Sequence, residues 1–94
     1  MKELKNFMAM QAKMKQVKER LEDTVFSIDG PGGIVRIVMN GVQEVKEVTV
    51  STPIRESQKE SLEKDIKEAY NKAVAYSRQL AAQEMKDITG FNVP

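Results

Sequence analysis

From about Gln58 to Ile88 the sequence runs for about 31 residues without Gly or Pro, and its apolar residues return every three or four positions. Leu62, Ile66, Ala69, Tyr70, Ala73, Tyr76, Ser77 and Leu80 fall on one helical face, and Glu60 with Lys64, Glu63 with Lys67 and Glu68 with Lys72 are opposite charges four apart. Ser57 and Glu60 have the spacing of a capping box, and Gly90 stands where a helix C-cap belongs. An unbroken helix of this length measures roughly 46 Å at 1.5 Å per residue. A compact globule of 94 residues has a radius of gyration of only about 12 Å and a diameter near 32 Å. One small domain over residues 1–94 is too small to enclose such a helix, so its end must project.

A second helix is expected from Lys2 to about Glu22, where Leu4, Phe7, Met8, Met14, Val17 and Leu21 mark an apolar face and no Gly or Pro intervenes. Between the helices, Thr24 to Ser51 is rich in Val, Ile and Thr, whose branched Cβ favours extended backbone. TVFSID leads into a turn at Gly30-Pro31-Gly32-Gly33, IVRIVM leads into Asn40-Gly41, and a third run covers roughly Val42 to Ser51, ended by Pro53. Asn-Gly predicts a type I′ hairpin, and two short loops put the three strands side by side in chain order. The middle strand is apolar on both faces, Val35, Ile37 and Met39 on one and Ile34 and Val38 on the other, interrupted only by Arg36, so both faces need cover. The expected fold is α+β: a helix, a three-stranded antiparallel β-meander and a long helix. The two helices pair as an arm, and a second copy of the chain covers the free sheet face, giving a dimer with protruding helical arms.

Charge is informative only when it is located. Fifteen Lys and Arg against 14 Asp and Glu leave a net +1, which gives no sign of a nucleic-acid partner. Residues 1–20, however, hold Lys2, Lys5, Lys13, Lys15, Lys18 and Arg20 against Glu3 and Glu19. At 100° per residue Lys2, Lys13 and Arg20 fall within about 20° of one another and Lys5 about 60° away, opposite Leu4, Phe7, Met14 and Leu21. No acid lies in that stripe. Lys2 and Lys5 sit at the helix end where the macrodipole disfavours cations, so helix stability does not explain them. A solvated surface or a phosphate-binding stripe does. In the second half of the long helix Lys72, Arg78 and Lys86 outnumber Glu84 and Asp87, a distribution the dipole accounts for by itself. Arg78 and Lys86 are secondary candidates, with Lys15 and Lys18.

Several chemistries are set aside. Without Cys or His there is no disulfide framework, thiolate nucleophile, His-based triad or ordinary zinc site, and no cofactor or metal is expected. The Gly30-Pro31-Gly32-Gly33 turn lacks the Lys-Ser or Lys-Thr of a phosphate loop and precedes a strand. Asp29 beside it reads as turn chemistry. Acids elsewhere lie on helix surfaces or beside charge, so neither an enzyme nor a small-molecule substrate is expected. Tyr70 and Tyr76 lie on the apolar helix face and read as packing. The amino-terminal residues have no apolar run typical of a leader, and nothing reaches membrane-spanning length, so a soluble cytoplasmic protein is expected.

The ordered set formed by the Met-, Gln- and Lys-rich first helix (MAMQAKMKQVKERL), Gly33 to Gly41, Val48-Thr49-Val50, Pro53 and Ala69-Tyr70-Asn71-Lys72-Ala73 resembles the YbaB/EbfC family of nucleoid-associated DNA-binding proteins. The resemblance covers nearly the whole chain. It implies a homodimer whose helices project from a sheet core and bind duplex DNA in the nucleoid with little sequence preference. Lys2, Lys5, Lys13 and Arg20 would then contact phosphate. A helix, hairpin and helix with projecting arms is also similar to prefoldin-type chaperones, in which Met8, Met10 and Met14 would grip protein clients. A purely architectural oligomer is the third reading.

Overall fold

The β-branched run and the two helical runs fold as their periodicity predicts. The computed structural model describes residues 2–51 and 54–90. Helix α1 spans Lys2–Asp23, strands β1, β2 and β3 span Val25–Asp29, Val35–Asn40 and Val45–Val50, and helix α2 spans Lys59–Thr89. The sheet is antiparallel in the order β1-β2-β3. Its register pairs Ile28 with Ile37 and Phe26 with Met39 on one side, and Val35 with Val50 and Ile37 with Val48 on the other. A bulge between Val38 and Met39 leaves Lys46 without a directly opposed residue. The expected strand end at Pro53 lies outside the described residues.

Val35, Ile37 and Met39 form the core with Ala69 and Ala73 of α2, flanked by Phe26, Ile28, Leu62 and Val74. Two alanines in this contact let the helix axis come close to β2. Gly30 is part of the same approach, since a Cβ there would lie 3.2 Å from the Asp65 carbonyl oxygen. Tyr76 meets Phe26 edge to face with ring centroids 4.7 Å apart. Helix α2 therefore covers one sheet face. The other face is open, with Val38 and Ile34 half-buried beside Ser27, Arg36, Glu47 and Thr49 around a shallow groove of about 450 Å³.

The ends of α2 follow two different rules. Gly90 takes the left-handed conformation at φ 79°, and its N–H donates to the Lys86 carbonyl at 2.8 Å, as the sequence predicts. At the start, Ser57 and Glu60 do not form the cap. Arg55 takes the extended capping conformation, its N–H donates to the Gln58 side-chain oxygen at 2.9 Å, and a short 3-10 turn over Glu56–Gln58 feeds the helix. An amide side chain one turn on satisfies the free donor as well as a carboxylate would.

The β2–β3 connection also departs from expectation. Positive φ falls on Gln43 (65°), and Gly41 is not among the positive-φ glycines. Three residues, Gly41 to Gln43, lie between Asn40 and Glu44, and the turn is closed by Gln43 N–H to the Asn40 carbonyl at 3.1 Å and Asn40 N–H to the Glu44 carbonyl at 3.0 Å. It is a turn followed by a left-handed residue rather than a two-residue type I′ hairpin. Glycine at position 41 is needed for space: a Cβ would stand 2.7 Å from Leu21 Cδ2 and 2.9 Å from the Leu21 carbonyl oxygen.

That contact roots the arm. The Gly41 N–H reaches the carbonyls of Leu21 and Thr24 at 2.9 and 3.1 Å, and the Ser77 hydroxyl donates to the Gly41 carbonyl at 2.9 Å. Asn40, fully buried, donates to the Glu22 carbonyl and the Glu44 carboxylate and accepts from the amides of Val42 and Glu44. The end of α1, the hairpin loop and the middle of α2 are thus tied at one point. Beyond it α1 and α2 run side by side in opposite directions, away from the sheet. The radius of gyration is 17.9 Å and the extents are 66 × 22 × 15 Å, against about 12 Å expected for a compact chain of this size.

Candidate nucleic-acid interface

The sequence places the basic residues on α1, and the root just described turns α1 into one side of a projecting arm. Val17 and Leu21 are the buried residues of α1, and they fix which face meets α2. At 100° per residue Lys13 and Arg20 lie about 40–60° from Val17 and flank the contact between the helices, whereas Lys5, about 120° away, stays nearly opposite it. The difference arises because Leu4 and Phe7, counted by periodicity as part of the packed face, are exposed, as are Met8, Met10 and Met14. The centre of the packed face is displaced toward the basic side.

The individual cations fall into distinct groups. Lys5 and Lys13 are exposed and, among the described residues, no carboxylate lies within the ion-pair distance of either. Arg78 and Lys86 on α2 share that state. Lys15 and Lys18 lie 4.0 Å from Glu19 and 3.9 Å from Glu22, one turn on along the same helix. Such exposed pairs are weak and open readily to another anion. Arg20 differs from all of them: its Nε is 3.4 Å from Oε2 of Glu84 on α2. The side chain of Lys2 lies outside the described residues.

The sequence marks Glu84 only as one of two acids in a half-helix with three bases. Its pairing depends on the register between α1 and α2, which no periodicity within one helix reveals. Asp29, read as turn chemistry, instead ends β1 directly opposite Arg36, with Nε donating to Oδ1 at 2.8 Å. The guanidinium holds the Asp29 carboxyl below its usual range, and the carboxylate raises Arg36 in turn. Glu44 is likewise lowered, mainly by the Asn40 side-chain amide and then by Lys46. These shifts belong to structural pairs on the surface, not to a pocket suited to acid–base chemistry. No helix among the described residues is long and apolar enough to cross a membrane, and no group of three acids there is placed to hold a metal ion.

A three-stranded sheet backed by one helix, with a paired-helix arm on which Lys5 and Lys13 are exposed and unpaired among the described residues, defines a small α+β protein with cations on its arm. Residues 1–91 match the YbaB/EbfC DNA-binding family, and the chain belongs to it. Among its relatives are nucleoid-associated proteins of Legionella pneumophila (strain Corby), 32% identical over 97% of this chain and 82% of that one, and of Dictyoglomus turgidum, 33% identical over 100% and 89%. A relative from Syntrophobacter fumaroxidans, also named a nucleoid-associated protein, is 36% identical over 92% of this chain and 80% of its own. The fold is that of the crystal structure of an uncharacterized protein, HP0035, from Helicobacter pylori, with a TM-score of 0.76, 20% identity and 89% of each chain covered. The family is a DNA-binding one and not a known enzyme family.

Proposed function

We propose that the chain is a nucleoid-associated protein of the cytoplasm that binds duplex DNA as a homodimer, mainly through phosphate contacts and with weak sequence preference. The observation that carries this reading is that Lys5, Lys13, Arg78 and Lys86 are exposed and, among the described residues, without ion-pair partners on helices that extend from the sheet. Lys2, Lys5 and Lys13 supply the primary contacts; Lys15, Lys18, Arg78 and Lys86 supply further ones, and Arg20 joins them when its contact with Glu84 opens. Lysines without a fixed geometric partner neutralise phosphates and release counterions, which favours affinity over base discrimination. The open sheet face, with Val25 exposed and Val38 and Ile34 half-buried, supports a second copy as its cover.

Fluorescence anisotropy with two unrelated duplexes of equal length tests both parts of the binding reading. Equal affinities that fall steeply with salt are expected, and one strongly preferred duplex would overturn the phosphate-dominated reading. Light scattering on the purified chain tests the dimer, and a monomeric mass at micromolar concentration would refute it. A second reading rests on Leu4, Phe7, Met8, Met10 and Met14, a row of exposed apolar side chains along α1. It is that of a chaperone-like arm for protein clients. Salt-insensitive suppression of aggregation of an unfolded client, without DNA competition, would favour it.

A further inference from the structure

We infer that Glu84 controls whether Arg20 is available to a nucleic-acid phosphate, and so acts as a positioning residue for the basic flank of the arm. The inference rests on the DNA-binding reading above and concerns one ion pair within it. Where α1 meets α2 the packing is apolar, with Val17 and Leu21 buried and Leu80, Ala81 and Ile88 half-buried. Glu84 enters this contact with its side chain 20% exposed, and Oε2 has no solvent contact and no hydrogen-bond partner. Arg20 Nε, 3.4 Å away, is the cation that compensates it. A carboxylate oxygen withdrawn from water and without a hydrogen-bond donor depends on its counter-ion far more than an exposed one does.

This separates Arg20 from its neighbours on the stripe. Lys15 and Lys18 have only exposed partners one turn away, from which a phosphate detaches them at little cost. For Arg20 to engage a phosphate fully, its attraction to Glu84 has to be overcome, leaving a largely buried carboxylate without its cation. Although 54% of the Arg20 side chain is exposed, its Nε is held at Glu84. The arm as folded therefore presents Arg20 less freely than Lys5 or Lys13. Glu84 sits across the helix contact from Arg20, so any change in the spacing of the two helices alters that restraint.

The test is the salt dependence of duplex binding by the full chain, measured by anisotropy between 50 and 200 mM salt. Four proteins are compared: wild type, Glu84→Gln, Arg20→Gln/Glu84→Gln, and Asp87→Asn. Asp87 is an exposed acid one turn along the same helix, hydrogen-bonded to Gln83 and without an ion pair among the described residues. Its substitution removes the same charge without freeing a cation. Releasing Arg20 should steepen the log–log slope by about 0.9 per arm, so that the loss of affinity across this salt range grows about 3.5-fold for each arginine recruited. Glu84→Gln is expected to show this change, Asp87→Asn is not, and the double variant returns to the wild-type slope. Glu84→Met, matched to the apolar surroundings, should behave as Glu84→Gln and guards against a folding defect peculiar to the amide. A Glu84→Gln slope no steeper than that of Asp87→Asn overturns the inference, as does a double variant as steep as the single one. If wild type itself binds DNA without salt dependence, the DNA-binding reading fails, and this inference with it.

Discussion

Replacing Gly41 with Ala probes the joint on which the arm depends. The added methyl would stand 2.7 Å from Leu21 Cδ2, 3.0 Å from Leu21 Cβ and 2.9 Å from the Leu21 carbonyl oxygen. The side-chain contact can be relieved by a rotamer change, but the carbonyl belongs to the last turn of α1 and accepts from both Gly41 N–H and Thr24 N–H. Moving it away weakens those bonds and shifts the helix from its seat on the hairpin. Overpacking of this kind costs about 1–3 kcal/mol, and the weakened hydrogen bonds place the expected loss at the upper end, about 2–3 kcal/mol. For a domain of this size that corresponds to roughly 8–24 °C in Tm. Denaturant melts at fixed protein concentration measure it, the fixed concentration being needed because association contributes to apparent stability. Gly32→Ala is the control: its φ of +75° opposes a side chain, but nothing lies within 4 Å of the added carbon. It should lose about 1–2 kcal/mol from backbone strain alone. A Gly41→Ala protein within about 0.5 kcal/mol of wild type would refute the close-packed joint.

Asn40→Ala removes two donated and two accepted hydrogen bonds from a fully buried site, and a loss of about 2–4 kcal/mol in the same melts is expected. An unchanged midpoint would show that the loop holds its shape without it. Glu44, lowered from its ordinary value of 4.5 by the Asn40 amide and then Lys46, gives stability that is complete above pH 4.5 and lost as pH falls through the lowered value. Melts of Glu44→Gln against wild type should therefore converge on the acid side, and a constant difference at every pH would contradict the pairing. Because Leu4, Phe7 and Met8 are exposed, Phe7→Ser should change stability by less than about 0.5 kcal/mol; a larger loss in the melt would mean that this side chain is covered in solution.

How far the sequence discloses this architecture depends on how local each feature is. The length of α2, its stop at Gly90 and the order of the strands follow from periodicity and from residues whose conformational preferences act within a few positions. The start of α2 was less legible because Ser57 and Gln58 both offer acceptors to free amides, and the backbone at Arg55 decides between them. At Gly41 the sequence singles out the right residue, but the constraint is the approach of Leu21, twenty residues earlier, and not the handedness of the turn. The site shows the same division. The excess of cations on α1 is plain in the sequence, while the place of Lys13 and Arg20 beside the helix contact and the tie between Arg20 and Glu84 depend on how two helices are registered.

The salt dependence of duplex binding, for wild type and for Lys5→Glu/Lys13→Glu, decides whether the arm is the DNA-binding surface. With about six phosphates neutralised by a dimer, log affinity should fall against log salt with a slope of about −5. The double variant, folded and with the mass of wild type, should bind far more weakly and with a shallower slope. A slope near zero for wild type, or a folded double variant that binds as tightly as wild type, would contradict the assignment of the arm as the DNA-binding surface.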